Sequence, residues 1–187
     1  MLKFAIIFFT ILLNSQISFG QFKNLSQFIP SEFTILDSAS GDLNKDGIND
    51  LVLILKNNYE KLNSDTTRPL LILQGNKLGQ YKLIARNDST VLCMGCGGVF
   101  GDPYQGITIK NGYFSIEHYG GSSWRWTRII TFRYDLKNNQ FVLHRDAGQS
   151  WHTSDPNKTT ENIFSKEDFN KLTFDRFSYS KNCSVCL

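Results

Sequence analysis

The sequence predicts an all-β fold: a single antiparallel domain of about eight strands, arranged as a sandwich or an open barrel, with a short helix near each end. Two observations indicate this fold. Short segments rich in Val, Ile, Phe, Tyr and Trp recur along most of the chain, as is typical of strands. Turn-forming pairs such as Asn111–Gly112 separate these segments and favour hairpins.

The first 20 residues predict a secretory signal peptide. Lys3 precedes an apolar segment at residues 4–13, and the small residues Ser18 and Gly20 precede the expected cleavage site before Gln21. An apolar segment of about ten residues is too short to cross a bilayer as a helix, which needs about 20. We therefore expect an exported protein, periplasmic or secreted, in which residues 21–187 form one β-rich domain with no membrane span.

Strands are expected in the following order along the chain: residues 32–39, 50–55, 68–75, 80–88, 106–110, 113–121, 124–135 and 140–148. The second is apolar at every position after Asp50, which favours a strand covered on both faces. In the seventh, alternation places Trp124, Trp126, Arg128, Ile130, Phe132 and Tyr134 on the face toward the core. A short amphipathic helix or a tethered arm is expected before Pro30, a polar loop at residues 153–162, and a short helix after Ser165.

One short loop carries the clearest candidate site. In residues 42–50, oxygen-bearing side chains occupy positions 1, 3, 5 and 9, and Gly47 occupies position 6. Alternate oxygen ligands, a glycine that allows a sharp turn and a backbone carbonyl at position 7 are typical of calcium loops. The predicted calcium ligands are Asp42, Asn44, Asp46, Asp50 and the carbonyl of Ile48. A metal-free turn rich in Asp, Asn and Gly is the alternative.

This loop is not an EF-hand, because position 12 is Leu53 within a predicted strand rather than a bidentate glutamate. Residues 39–55 resemble the FG-GAP or VCBS repeat, in which a D-x-[DN]-x-D-G-x-x-D loop precedes an apolar strand. The resemblance implies the same five calcium ligands. Several such repeats form a β-propeller in that family, whereas this chain has one copy of the loop. We expect the metal to fasten the turn between the first two strands.

The four cysteines form two C-x-x-C pairs, Cys93/Cys96 and Cys183/Cys186. Paired cysteines in an exported chain favour disulfides, whereas four thiolates in two such pairs are also typical of a zinc site. A redox role is the third interpretation. A ring closed within the last few residues would constrain little. We therefore expect all four cysteines to meet in space, as crossed disulfides or as one zinc site.

His118, Glu117 and Ser122 form a second candidate site, next to two glycines whose N–H groups are candidate donors to an oxyanion. No G-x-S-x-G motif surrounds Ser122. A hydrogen-bonded core histidine is the alternative for His118, which shares its strand face with apolar residues. If the chain is a hydrolase, these three side chains should converge in an open cleft.

The remaining features point to binding rather than to catalysis. Four aromatic residues predict either a stacking platform for a ligand or part of the core: Tyr119, Trp124, Trp126 and Trp151. Charged residues are dispersed and the net charge is only +3, so nucleic acid is not an expected partner. The leading hypothesis is a non-enzymatic, exported, calcium-binding β domain that binds an unknown protein or carbohydrate ligand. The hydrolase is the alternative.

Overall fold

The computed structural model describes residues 25–165, 167–168 and 171–179, and its fold is all-β. Nine strands form two antiparallel sheets, in which each strand pairs with its neighbour in sequence. The first sheet contains β1 (Phe33–Gly41), β2 (Asp50–Asn57), β3 (Arg68–Gly75) and β4 (Tyr81–Val91). The second contains β5 (Tyr104–Lys110), β6 (Tyr113–Gly121), β7 (Trp124–Asp135), β8 (Gln140–His152) and β9 (Asp155–Ser165).

The core lies between the two sheets, as in a sandwich. Its residues alternate along the strands, since successive side chains of a strand point to opposite faces. The main contributions come from β2, β3, β6, β7 and β8: Val52, Ile54, Leu70, Ile72, Phe114, Ile116, Ile130, Phe132, Phe141 and Leu143. The predicted core face of β7 is confirmed at its centre. Trp124 is 49% exposed, because it begins the strand at the periphery of the sheet.

The outer face of β2 is also covered, as its apolar sequence predicts. A second apolar cluster contains Leu51, Leu53, Leu55, Leu71 and Leu73, with Leu25 buried against them. Phe28 and Ile29 pack on the same cluster. Before Pro30 the described residues form a single 3-10 turn at Ser26–Phe28 rather than an amphipathic helix, and residues 21–24 of the predicted helix lie outside the described residues.

Two parts of the chain differ from expectation. The predicted polar loop at residues 153–162 is mostly strand β9, which is exposed along nearly all of its length. An edge strand with solvent on both faces does not need alternating apolar residues, so its sequence does not show a strand pattern.

The predicted C-terminal helix also differs from the structure. Residues 167–168 form a turn rather than a helix, and the second 3-10 turn is Phe174–Arg176. Residues 166 and 169–170 of the predicted helix lie outside the described residues.

Residues 171–179, here called the C-terminal strap, connect the two sheets at one side of the sandwich. Leu143 of β8 donates its N–H to the carbonyl of Leu172. On the other sheet, the Asn87 side chain of β4 donates to the carbonyls of Phe174, at 2.5 Å, and Phe177, at 2.8 Å. The strap thus holds the two sheets together.

The predicted signal peptide, residues 1–20, lies outside the described residues. Within the part of the chain that is described, no helix has the length and apolar character needed to cross a membrane.

Candidate metal centre

The loop between β1 and β2 brings the first three predicted ligands into one tight turn. Lys45 and Gly47 both have positive φ, 63° and 82°, which turns the backbone N–H groups of the loop toward its own side chains. Asp42 accepts two of these N–H groups, from Asp46 at 3.1 Å and from Gly47 at 2.9 Å. The backbone conformation that a calcium loop needs at its glycine is therefore present.

Asn44 and Asp46 complete the same arrangement. The Asp46 N–H also donates to Asn44 Oδ1 at 3.0 Å, and the Asn44 amide donates to Asp46 Oδ2 at 2.8 Å. The Ile48 N–H donates to Asp46 Oδ1 at 2.8 Å. Because Asp42 Oδ1 and Asn44 Oδ1 accept from the same N–H, these two oxygens lie close together. Side-chain oxygens of positions 1, 3 and 5 are thus gathered around one short backbone segment.

Asp50 has a different environment from the other ligands. Its side chain is completely buried. One carboxylate oxygen accepts the Leu43 N–H at 3.0 Å and the other accepts the Gly75 N–H at 3.1 Å. Burial raises the pKa of Asp50, and the negative charge of Asp46 raises it further, against the lowering effect of these hydrogen bonds. Asp50 therefore joins the β1–β2 loop to the end of β3.

The donor set suits a hard cation. Its atoms are carboxylate, amide and carbonyl oxygens, which calcium prefers. Asp42, Asp46 and Asp50 form no ion pair with a basic side chain of the described residues. Across the same residues, no group of three or more His, Cys, Asp or Glu side chains is arranged to hold a metal. The fit therefore depends on the amide of Asn44 and the carbonyl of Ile48 together with the carboxylates.

Cys93 and Cys96 form a disulfide with each other, with their Cα atoms 5.2 Å apart. This pairing differs from the crossed disulfides that the sequence analysis predicts, because both sulfurs are used within one motif. It also occupies the two sulfurs that a zinc site would need as thiolates, so zinc stays a prediction for the reduced chain. Cys183 and Cys186 lie outside the described residues.

The candidate hydrolase residues do not converge. His118 faces the core and is 2% exposed, with its Nε2 accepting the Leu92 N–H at 3.3 Å. Glu117 is adjacent on β6 and so faces the opposite side of the sheet. Ser122 lies in the exposed turn after β6. The Gly121 N–H, a candidate oxyanion donor, is bonded to the Gly97 carbonyl at 2.9 Å.

The environment of His118 does not suit a general base that works near neutral pH. Burial, together with the smaller effect of the positive charge of Arg128, lowers its pKa to about 3. An imidazole held neutral in this way is a core residue whose ring contacts Tyr104 and Tyr179 edge to face. The core-histidine interpretation therefore fits the structure, and the hydrolase alternative loses its assembled site.

None of the four aromatic residues singled out in the sequence is fully buried. Tyr119 and Trp151 stack on the outer face of the second sheet, with ring centroids 6.4 Å apart. Phe100 packs against Tyr119 at 5.3 Å, and the Arg125 guanidinium lies 3.8 Å above the Phe100 ring. Phe100, Tyr119, Arg125 and Trp151 are here called the outer aromatic cluster.

The core also contains buried charges that were not predicted from the sequence. Arg68 is completely buried between Glu60 and Asp102, and Arg128 is completely buried beside Asp146. A signal for Arg128 was present, because it shares its predicted strand face with Ile130 and Phe132. An arginine on a core face needs a carboxylate partner, but its identity depends on the strand register.

Comparisons with protein-family models, with curated proteins and with solved structures find no match to this chain.

Proposed function

We propose that this chain is an exported calcium-binding β domain that acts as a binding module rather than as an enzyme. The observation that carries the proposal is the turn in which Asp42, Asn44 and Asp46 collect their side-chain oxygens. The Asp42 and Asp46 carboxylates repel each other and have no basic partner among the described residues. A divalent cation of the hard class would neutralise them, which is the situation in which oxygen-only loops bind calcium.

Calcium has a structural role in this proposal. The ligands occupy one loop, and Asp50 already ties that loop to the end of β3 through the Gly75 N–H. A metal held by the same loop would stiffen the β1–β2 connection and would lower the cost of keeping the Asp50 carboxylate charged. The resemblance of residues 39–55 to the FG-GAP or VCBS repeat supports the same assignment.

Two features support export. Residues 1–20 have the charged start, apolar centre and small residues of a signal peptide. The Cys93–Cys96 disulfide suits an oxidising compartment such as the periplasm or the cell exterior.

The outer aromatic cluster is the proposed ligand face, and a carbohydrate is the proposed ligand class. Phe100 is 44% exposed, and the partly exposed rings of Tyr119 and Trp151 belong to the same cluster. Gln149 and Glu161, joined by a hydrogen bond of 3.1 Å, lie in the same row of the sheet as Tyr119, with Thr127 between Tyr119 and Gln149. Apolar rings next to polar groups match a sugar, which has an apolar face and hydroxyls at its edge.

Calcium binding is tested by thermal unfolding of the mature chain in 10 mM calcium and in excess chelator, with isothermal titration of the metal. Extracellular calcium modules have Kd values of about 10⁻⁴–10⁻³ M. At about ten to one hundred times Kd, the metal adds about 1.4–2.7 kcal/mol, which raises Tm by about 3–10 °C. Equal melting in both solutions, with no heat of binding, would overturn the proposal.

Asp46→Asn should abolish the calcium-dependent rise in Tm, because it removes a charge and keeps an oxygen that can accept the Ile48 N–H. Asp88→Asn is the matched control, since Asp88 is exposed and pairs with Arg86 far from the loop in sequence. That variant should keep the full rise.

For the ligand face, Trp151→Ala should weaken binding of soluble oligosaccharides in an array, whereas Trp124→Ala should not. If the chain binds a protein but no oligosaccharide, the proposed ligand class, a carbohydrate, is wrong.

A further inference from the structure

A pocket of about 280 Å³ lies at the end of the sandwich that carries the β1–β2 loop. Three turns that are far apart in the sequence form its walls: the β1–β2 loop at residues 43–45, the β5–β6 turn at Gly112 and the β7–β8 turn at residues 135–137. Tyr113 of β6 and Arg133 of β7 also border it. Among the described residues, the outer aromatic cluster contributes none to these walls, so the pocket is separate from the proposed ligand face.

The β5–β6 turn and the β1–β2 loop pack closely enough to fix the position of Lys45. Gly112 has a φ of 80° and Lys45 a φ of 63°. A Cβ atom built on Gly112 would lie 2.9 Å from Lys45 Cε and 3.3 Å from the Leu43 carbonyl oxygen. The Lys45 side chain therefore runs across the face of Gly112, and this contact brings its ammonium group to the wall of the pocket.

The pocket is positively charged. Its walls hold three basic side chains, Lys45, Arg133 and Lys137, and one acidic side chain, Asp135, so three positive charges against one negative charge leave a net charge of +2. None of the three basic side chains forms an ion pair with a side chain of the described residues. Asp135 accepts the Lys137 N–H at 3.1 Å and the Asn138 amide at 2.8 Å, which engages its carboxylate within its own turn. The pocket is here called the basic pocket.

The field of these cations reaches Asp135. The hydrogen bond from Asn138 has the largest lowering effect on the pKa of Asp135, and the positive charges of Arg133 and Lys171 lower it as well. Lys171, at the start of the C-terminal strap, thus adds a further positive charge close to the basic pocket. The fold therefore gathers like charges from four parts of the chain at one place.

Neutral donors accompany the cations. Tyr113 is directly opposite Arg133 in the pairing of β6 with β7, and Tyr134 also borders the pocket. Both tyrosines are only partly buried, and each hydroxyl is a hydrogen-bond donor. The groups that border the basic pocket are thus mostly donors, and a matching ligand has to supply acceptor oxygens and negative charge.

We propose that the basic pocket binds a small dianion, either a phosphate monoester or a dicarboxylate. A guanidinium such as that of Arg133 pairs with two oxygens of a phosphate or carboxylate at once, and lysine ammonium groups add point charges. Two negative charges would balance the net charge of the walls. The volume is near the lower end of the range of about 300–1,000 Å³ for ligand sites, which suits a molecule of monosaccharide size rather than a polymer.

The first test follows backbone amide shifts of the isotope-labelled mature chain by NMR during titration with glucose 6-phosphate and, separately, with succinate. Asn44, a predicted calcium ligand, borders the pocket, so calcium is removed beforehand on a chelating resin and the outcome does not depend on calcium binding. The solution contains about 150 mM sodium chloride, which screens long-range attraction. Its pH is about 7.5, where a phosphate monoester is almost fully dianionic because its second pKa is about 6.

Saturable shifts should be concentrated at residues 43–45, 112–113 and 133–137, with a Kd of about 1 mM or lower for at least one dianion. The tighter of the two identifies the ligand class. Glucose and acetate are the controls for the sugar ring and for a single negative charge, and both should bind at least about tenfold more weakly. Absence of saturable shifts with both dianions overturns the proposal, and so does equal binding of acetate.

The second test uses two substitutions of the same kind at different places. Arg133→Gln should weaken dianion binding about tenfold or more, because hydrogen bonds to charged groups are the strong ones. Lys61→Gln is the matched control: Lys61 is exposed and follows the opposite end of β2, so its Kd should stay within about twofold of the unmodified chain. Equal weakening in both variants would mean that only the overall charge matters, which overturns the site. If Arg133→Gln does not fold, Lys137→Gln in the exposed turn takes its place, and a Kd unchanged in that variant overturns the proposal.

Discussion

Arg128 and Asp146 form a two-point salt bridge inside the sandwich, with both side chains completely buried. Arg128 Nε lies 2.8 Å from one carboxylate oxygen and Nη2 lies 2.5 Å from the other. The two residues are diagonal neighbours on β7 and β8, since Asp146 is directly opposite Ile130. The remaining guanidinium nitrogen, Nη1, donates to the Tyr179 carbonyl. One buried arginine thus connects two strands and the C-terminal strap.

Removing the Asp146 charge should be strongly destabilising. We expect Asp146→Asn to lower the free energy of unfolding by about 3–5 kcal/mol, because the guanidinium would remain buried without a compensating negative charge. Urea denaturation measures this loss. Asp88→Asn is the matched control: its partner Arg86 is 48% exposed and Asp88 is 43% exposed, so its loss should stay below about 1 kcal/mol. Equal losses in the two variants would contradict the prediction.

Acid should destabilise the fold through His118. In the folded protein the His118 imidazole has a pKa of about 3, compared with an ordinary value of 6.5. Below pH 6.5 the unfolded chain therefore binds more protons than the folded one. The stabilisation from neutral His118 is present in full above about pH 6.5 and is lost as the pH falls toward 3. The loss should reach about 2 kcal/mol at pH 5.

The histidine can be separated from the other titrating groups by substitution. The charged or ionisable groups that act on it are Arg128, Asp102 and Arg68, with Tyr104 and Tyr179 packed on its ring. His118→Gln should flatten the stability profile between pH 5 and 7, measured by urea midpoints. His152→Gln, at a partly exposed histidine, is the control for the substitution itself. A slope unchanged in His118→Gln would show that another group is responsible.

The sequence was sufficient for the strands whose signals are local. β3, β6 and β7 have the expected bounds, because alternation of apolar residues and turn pairs such as Asn111–Gly112 are properties of neighbouring positions. Asn111 and Gly112 indeed have positive φ, 55° and 80°, as a tight hairpin of this kind requires. The nine-strand count differs from about eight only by β9, whose exposed edge position leaves no period in its residues.

Features that depend on distant parts of the chain were not accessible in the same way. Arg128 lies 18 residues before Asp146, and Arg68 lies 34 residues before Asp102. Only the strand register and the loop conformations bring such pairs together. The position of the predicted calcium loop between β1 and β2 could be derived from the sequence, whereas the hydrogen bond from the Gly75 N–H to Asp50 depends on the pairing of β2 with β3. Calcium itself stays a prediction.

The disulfide should contribute modestly to stability. Cys93 and Cys96 close a ring of only four residues, for which the chain-entropy estimate is about 2 kcal/mol, compared with about 4–5 kcal/mol for a link to the tail. We expect Cys93→Ser/Cys96→Ser to lower the free energy of unfolding by about 2 kcal/mol in urea titrations. Cys183→Ser/Cys186→Ser is the control and should cost less. A loss near 4–5 kcal/mol in both double variants would indicate crossed disulfides instead.

Asp50 and Asp46 should separate the structural role of the loop from its proposed metal role. In chelator, Asp50→Asn should cost about 1–3 kcal/mol, because an amide has one acceptor oxygen and leaves either the Leu43 or the Gly75 N–H unsatisfied in a buried site. Asp46→Asn should change stability in chelator by only about 0.5 kcal/mol, as exposed substitutions usually do.

The effects on the calcium-dependent rise in Tm should have the opposite order, with the larger effect from Asp46→Asn. Asp46→Asn should show no gain in Tm on addition of the metal, while Asp50→Asn should keep part of the gain, since the other four predicted ligands remain in the loop. Thermal unfolding of both variants with and without calcium makes the comparison. If both variants keep the full calcium-dependent rise in Tm, calcium binds elsewhere in the protein. A large loss in chelator for Asp46→Asn would make that carboxylate a structural part of the turn, as Asp50 is.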